Sequence, residues 1–562
     1  MKRSIVICEY ISTGINYIDD ARSRGYEPVL VEGSYVGTPE EQAPIRAARD
    51  AINKRLAGSV KIICENSDYD EILRQVRETN PVVVVAGSEF GVALATRLAE
   101  DLGLPGNPVS RIPGMTEKDA MHEALRKAGI RYIRGKVITD ESDAIEYYRS
   151  LGKEDVVVKR ARGAATQGVY LCHGYDEMLS AVRKSFSQPV TDVNEPVAIL
   201  MQERIIGTEY IVNTVSCAGR HRVVSVWKYD KVKMPNGANA YNYAMTVPRL
   251  EVGHSALVRY ACQVADAVGV KYGPIHGEYM VDENGPVLIE VNCRPMGGGL
   301  QRKYVEEIFG HHETDVALDS YLDPKKFEEG LSAPYRVRKF GAMKIFITYS
   351  ETEVDSAPIL QISTHLRSFY SAGFDFIGRG RTIPETNSLE TCGGQVNLLH
   401  EDEKVIREEC DLLHLLETKY SGILYQSDRP QENASFPVPD IDAVMKAADC
   451  RGATLVFSDT ATDVRGAIVA DSKTLAGSYD SFEYGILNLS DSRSFADLES
   501  VVQQFFVFVS KIRRGGRILI PESTYVHLPY GMEGMEILLK GAGLRIEMPV
   551  SGMVSLLVAS VE

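Results

Sequence analysis

Short apolar runs punctuated by turn residues set the rhythm at the start of the chain. Residues 4–9 read as a buried strand, 15–24 as a helix and 28–32 as a second strand, the opening of an α/β sheet. Residues 82–86 are unbroken apolar, as a central parallel strand requires, and an amphipathic helix over 92–102 follows. A helix over 116–128, with Thr116 as its cap, opens the next region. Strands are expected at 155–159 and 198–204, then as an antiparallel pair at 211–216 and 223–227 turning at Gly219. A helix over 255–268 leads into 273–299, where two alternating stretches, 276–281 and 287–291, flank turn material and read as a hairpin. The polar stretch 426–439 with its prolines reads as a linker. The end of the chain is again α/β. Its strands fall at 454–457, 484–489, 517–521, 544–548 and 554–559, and its helices at 496–512 and 532–541, with a turn at Gly515–Gly516.

At 562 residues the chain is too long for one core, so several domains are expected. A net charge of −15 without a Lys/Arg block argues against nucleic-acid and anionic-membrane surfaces. The nine cysteines are scattered with no C-x-x-C pair, and Cys8, Cys64 and Cys262 sit in apolar runs. They read as packed thiols of a reducing, cytoplasmic setting and not as a disulfide frame. No apolar run approaches membrane-spanning length, and residues 5–8 are too few for a signal peptide.

Candidate chemistry concentrates in the hairpin. Glu278, Glu290 and Asn292 can share one face, since i and i+2 on a strand do so and cross-strand pairing can add Glu278. Two carboxylates and an amide oxygen repel each other unless a cation joins them, and hard oxygen donors too few for a closed cage suit Mg2+. Taken alone, the set also reads as the solvated face of an ordinary hairpin. Arg294 lies two residues on, its planar fork suited to an anion. Lys118 stands in a first helical turn, where a cation opposes the helix dipole unless an anion is near; a surface lysine is the alternative. Lys159 ends a strand ahead of the small-residue loop 160–169, which can bare backbone N–H groups to an anion or be a plain surface turn. Ser12-Thr13-Gly14, at a strand's carboxyl end, reads as a phosphate turn or as a helix cap. His276 reads as a base, a supporting donor or a structural histidine, and Cys293 as a thiol turned into the core.

In order, Lys118, Lys159 with its loop, Gln202-Glu203-x-x-x-Gly207-x-Glu209, then Glu278 and Glu290-x-Asn292-x-Arg294 resemble the ATP-grasp enzymes. Ser12-Thr13-Gly14, the 86–92 and 104–107 segments, the 207–216 segment and Trp227-Lys228-Tyr229 resemble the amino-acid (dipeptide) ligase branch found in natural-product pathways. Coverage runs over about residues 1–425. The resemblance implies an α/β and α+β multidomain chain. Residues 1–112 would form a Rossmann-like pre-ATP-grasp domain, and 113–425 an ATP-grasp module whose mobile lid spans about 133–203. It further implies that Lys118 and Lys159 hold the ATP phosphates, with Gly163, Thr166 and Gly168 in the lid closing over them. Gln202, Glu203 and Ile205 would meet adenine and Glu209 the ribose. Glu278, Glu290 and Asn292 would hold one or two Mg2+ ions, with Mn2+ as a substitute. Arg294 would face the acyl phosphate or substrate carboxylate, and Ser12, Thr13, Gly14, Glu89, His276, Gly297 and Gly298 would line the substrate site. Two positions depart from the pattern: Thr116-Glu117 stands where the family often has Arg-Asp, and Gln202 where it often has an acid.

The implied activity is ATP-dependent activation of a carboxylate as an acyl phosphate and its capture by an amine, giving an amide, ADP and phosphate. Small-molecule carboxylate and amine substrates are the implied partners. A carrier-protein thiol or a non-amino-acid amine is the alternative acceptor, and a nucleotide-binding regulator without turnover the alternative class. The family suggests a homodimer. Residues 440–562 resemble the second half of a Rossmann-type methyltransferase, but 457–463 lack the glycines that let a backbone approach a cofactor, which favours an accessory or dimerisation role.

Overall fold

The computed structural model describes residues 2–33, 39–64, 68–152, 155–160, 169–187, 199–234, 238–250, 252–354, 358–373 and 382–419, then 444–445, 450–458, 464, 467–471, 474–475, 482–488, 505–521, 531–547 and 556–561. The lid positions Gly163, Thr166 and Gly168 and the linker expected at 426–439 lie outside the described residues. The chain divides into two compact units, Met1–Asp230 with Ala244–Lys339, and Lys231–Tyr243 with Phe340–Glu562.

The first unit opens with a four-stranded parallel sheet in the order Lys61–Ile63, Glu27–Val31, Ser4–Cys8, Pro81–Ala86. Ser4–Cys8 is buried along its whole length, as a strand covered on both faces must be. The loops leaving Ser4–Cys8 and Pro81–Ala86 meet at their carboxyl ends. A Cβ on Gly14 would lie 2.3 Å from the Gly87 carbonyl oxygen, so this contact admits only glycine.

Two further sheets carry the site. An antiparallel sheet orders Gly135–Ile138, Ile199–Glu203, Asp155–Arg160 and Tyr170–His173, backed by helices Glu141–Leu151 and Gly174–Ser187. The other runs Gly285–Asn292, Gly273–Asp282, Thr208–Cys217 and Arg220–Lys233, all antiparallel. Helix Val252–Val268 covers it, with Leu257, Val264 and Ala265 packed against Tyr279, Leu288 and Val291 in one buried cluster. Each large apolar side chain there contributes roughly 1.5–3 kcal/mol relative to exposure.

The helix expected at 116–128 begins later. Ile112–Thr116 is a separate short helix, and the main one is Lys118–Ala128 with Glu117 in extended conformation between them. Thr116 is therefore no cap: its hydroxyl donates back to the Ile112 carbonyl at 2.9 Å. Lys118 still stands in the first turn.

The second unit holds antiparallel strands Phe340–Ile345, Gln395–His400 and Phe369–Gly373, with helix Glu403–Lys419 packed on them. Its other sheet has the order Ala467–Ala470, Thr454–Phe457, Phe482–Leu487, Ile512–Pro521, Leu556–Val561, Leu544–Ile546. The first four strands are parallel and the last two antiparallel to their neighbours. The turn expected at Gly515–Gly516 is instead absorbed into the strand Ile512–Pro521, with Gly515 at φ +77° beside a register shift in its pairing. Among the described residues, no helix is long and apolar enough to cross a membrane.

Candidate active site

The hairpin pairs Glu278 directly with Glu290 and His276 with Asn292. A bulge between Glu278 and Tyr279 shifts the register beyond this point, so Tyr279 faces Leu288. The two carboxylates thus stand side by side, an arrangement that is unfavourable without positive charge. The protein supplies that charge from two other elements. Lys118 Nζ lies 3.0 Å from Glu290 Oε2, and the Asn292 amide donates to Glu290 Oε1 at 3.2 Å. Burial pushes the Glu290 carboxyl up, but Lys118, Lys159 and Asn292 outweigh it and hold it well below the usual carboxylate range. Lys159, only 7% exposed, is brought down to about 8 by burial and by Lys118, against the pull of Glu290 and Glu278. Two lysines, two carboxylates and an amide from separate elements therefore form one electrostatic cluster.

The other face of Glu278 meets two residues. Tyr229 Oη donates to Glu278 Oε1 at 3.2 Å; burial and the carboxylates of Glu278 and Glu209 hold this phenol well above its ordinary range, so it remains a donor. His276 Nε2 lies 3.5 Å from the same oxygen. Its Nδ1 is 2.9 Å from Asn213 Oδ1, and the Asn213 amide nitrogen is 2.8 Å from Ser225 Oγ. The Asn213 amide nitrogen is directed to Ser225, so its oxygen faces His276 and Nδ1 is the donor of that pair. Register carries the same row across the sheet: Asn292, His276, Asn213 and Ser225 are successive partners on four strands.

Arg294 leaves the hairpin and meets Glu89, from the loop after Pro81–Ala86, at 2.8 Å. The Gly297–Leu300 loop follows, with Gly298 at φ +82° and Gly299 at φ +62°. Ser12 and Thr13 are spent on this loop. Ser12 Oγ accepts from Gly299 N at 3.1 Å, and Thr13 Oγ1 accepts from Leu300 N at 3.1 Å and donates to the Gly297 carbonyl at 3.4 Å. Gly14 packs on Gly87. The Ser-Thr-Gly turn therefore shapes the loop beside Arg294.

Glu203 pairs its side chain with Arg134 at 2.8 Å and donates its N–H to the Arg134 carbonyl at 3.0 Å. Gln202 is 2% exposed with its amide nitrogen unpartnered, and Ile205 lies in the connection between Ile199–Glu203 and Thr208–Cys217. Glu209 is buried at the start of the second of these strands. Cys293 packs in the core, and burial lifts its thiol to about 12, as a structural cysteine should behave.

Sequence reasoning gave no role to Tyr229, Asn213, Ser225 or His122. His122 sits one turn after Lys118, is 5% exposed with Nε2 unpartnered, and is pulled to about 3 by burial and Lys159, so it remains neutral. The i, i+4 spacing from Lys118 was the signal available for it. The others become visible only through sheet register.

The donor set Glu278, Glu290 and Asn292 fits a hard divalent ion such as Mg2+, which would take over the charge that Lys118 now neutralises.

Residues 153–302 match the model of the ATP-grasp domain. Over 327 residues the chain is 27% identical to dapdiamide A synthase of Enterobacter agglomerans, covering 58% of this chain and 75% of that protein. Over 261 residues it is 27% identical to carnosine synthase 1 of Gallus gallus, covering 43% of this chain and only 27% of that relative's length. Its fold is similar to that of L-amino acid ligase from Bacillus licheniformis, with a TM-score of 0.56 at 18% identity, over 74% of this chain and 97% of that one. Residues 153–302 are thus an ATP-grasp domain, and the chain is an enzyme similar to the ATP-dependent carboxylate–amine ligases.

Proposed function

We propose that the enzyme joins the carboxylate of an amino acid or related acid to the amine of a second small molecule, using ATP and Mg2+. The convergence of Lys118 and Lys159 on Glu290 is the observation that carries this reading. Both ammonium groups would donate to the phosphate oxygens of ATP as charge builds during attack by the carboxylate. Bound Mg2+, held by Glu278, Glu290 and Asn292, would supply Lewis-acid neutralisation of the phosphates. Arg294, steadied by Glu89, would orient the acid and then face the oxyanion formed when the amine attacks the acyl phosphate. The chain over 160–169 would exclude water, as an acyl phosphate requires. Glu203 and Gln202 would meet adenine and Glu209 the ribose.

On this reading residues 1–112 form the pre-grasp domain, 113–425 the grasp module with its lid over about 133–203, 426–439 a linker, and 440–562 an accessory domain. The strand order of the last part supports its likeness to a methyltransferase. A non-catalytic role, dimerisation included, is favoured because 457–463 lack a glycine-rich turn.

Glu290→Gln tests the assignment. The variant removes the anionic ligand while keeping shape, so Mg2+-dependent ADP formation should vanish with circular dichroism and melting temperature preserved. Full activity in this variant would remove the metal assignment. A hydroxamate trap that reports acyl phosphate without amide product would instead point to a carrier thiol or an unusual amine as acceptor.

A further inference from the structure

A cleft opens beside the Arg294–Leu300 loop, walled by Thr13, Asn213, Trp227, Met296, His311 and Glu313. It encloses about 390 Å³, open mouth included, and its closed interior has room for little more than one water-sized group. The polar row that starts at Asn292 runs into it, since Asn213 and Ser225 are both wall residues.

Glu313 opens the helix Glu313–Leu322 and is 8% exposed. Its Oε2 accepts from Met296 N at 2.9 Å, two residues beyond Arg294, while its Oε1 is buried without a partner. The residues on either side are pinned: Asp20 takes His312 Nε2 at 2.9 Å and the Thr314 hydroxyl at 2.6 Å. Glu313 is thus held at a fixed place with one oxygen unanswered.

No cation of the protein answers it among the described ion pairs. Arg294 pairs with Glu89 and His312 with Asp20. His311 directs Nε2 to the Val224 carbonyl at 3.0 Å, and burial with Arg222 beside it pulls the ring to about 4, so it is neutral. Burial lifts the Glu313 carboxyl to about 8, against the backbone donor at Met296 and the pull of Arg294. A small cation entering the cleft would restore the carboxylate and satisfy the orphaned oxygen.

Resting on the ligase reading, we propose that Glu313 receives the ammonium group of the acid that is activated, so that this acid is a small amino acid. Its carboxylate then lies toward Arg294 and the acidic rim, and its amine points into the cleft. The narrow interior admits an ammonium and rejects bulk at that position. A des-amino acid leaves the buried carboxyl unanswered and binds poorly.

ADP release tests this, with L-alanine and propionate as matched acids in the presence of an amine acceptor pool. Wild-type enzyme should turn over L-alanine and not propionate. Glu313→Gln, which keeps the acceptor for Met296 N, should raise KM for L-alanine by about tenfold or more while leaving KM for ATP within about twofold. Calorimetric titration of L-alanine into wild type and variant with MgADP present reads the same difference without turnover, and melting temperature reports folding. Equal use of the two acids by wild type, or an unchanged KM for L-alanine in Glu313→Gln, overturns the assignment while the ligase reading stands. Wild type that releases no ADP with any acid and amine overturns the ligase reading and, with it, the substrate named here.

Discussion

At the scale of single residues, the site depends on charges that are costly alone and stable together. Glu278 and Glu290 would repel as direct cross-strand partners, and Lys118 and Lys159 would repel in a buried corner, yet each pair answers the other. Arg294 differs from the lysines because its orientation is fixed by Glu89. Arg294→Lys keeps the charge but loses the planar fork, and kcat/KM should fall by roughly a hundredfold or more with KM for ATP little changed. Steady-state kinetics in both substrates checks this; a fall confined to KM for ATP would place Arg294 on the nucleotide side. Lys118, Lys159, Glu278, Glu290, Asn292 and Arg294 stood out in the sequence because their order resembles that of the ATP-grasp enzymes. Tyr229, Asn213 and Glu313 were not, because a tyrosine, an asparagine in a strand and an acid opening a helix are unremarkable until register and burial place them.

At the scale of elements, two close approaches fix the geometry around Arg294. The loops carrying Gly14 and Gly87 touch, and the Ser12 and Thr13 hydroxyls tie the first of them to the Gly297–Leu300 loop. Gly14→Ala would drive a Cβ to 2.3 Å from the Gly87 oxygen. It should cost about 1–3 kcal/mol, read as a lower melting temperature, and should weaken turnover more than ATP affinity. In the second unit, Lys344 Nζ is 2.6 Å from Glu417 Oε1, and both side chains are fully buried. Strand Phe340–Ile345 and helix Glu403–Lys419 are joined through this pair, which also accepts the Ile347 N–H at 3.0 Å. Glu417→Ala leaves the ammonium without a counter-charge and should cost about 3–5 kcal/mol in chemical denaturation. The hairpin and the parallel opening sheet were readable from alternation and from apolar runs. The late start of helix Lys118–Ala128 was not, since Thr116 resembles a cap in sequence but closes the preceding turn in space.

For the whole molecule, histidines buried as neutral rings make one part of the pH response, opposite in sign to that of the buried Glu313 carboxyl. His311 sits at about 4 in the fold, against an ordinary value near 6.5. Above that ordinary value both folded and unfolded chains leave the ring neutral, and stability is at its full level. As pH falls below it, the unfolded chain takes up the proton first. Stability is then lost progressively until the folded ring titrates, by up to roughly 3 kcal/mol for this group. Between about pH 6.5 and 4 the melting temperature of the wild type should fall relative to that of His311→Gln, which can still donate to the Val224 carbonyl. A profile unchanged by the substitution would mean that His311 is protonated in the fold.

The sequence alone pointed to the kind of chemistry, because its lysines, acids, amide and arginine stand in the order that resembles the ATP-grasp enzymes. It determined the strands that carry them, because alternation is a local property. Tertiary structure alone decided which oxygens and nitrogens meet. Glu290 takes its partner from a helix about 170 residues earlier and Arg294 from a loop about 200 residues earlier, and no local pattern encodes such pairing. It also decided that Glu313 is buried and half-answered, since burial belongs to everything packed around a residue and not to the residue itself.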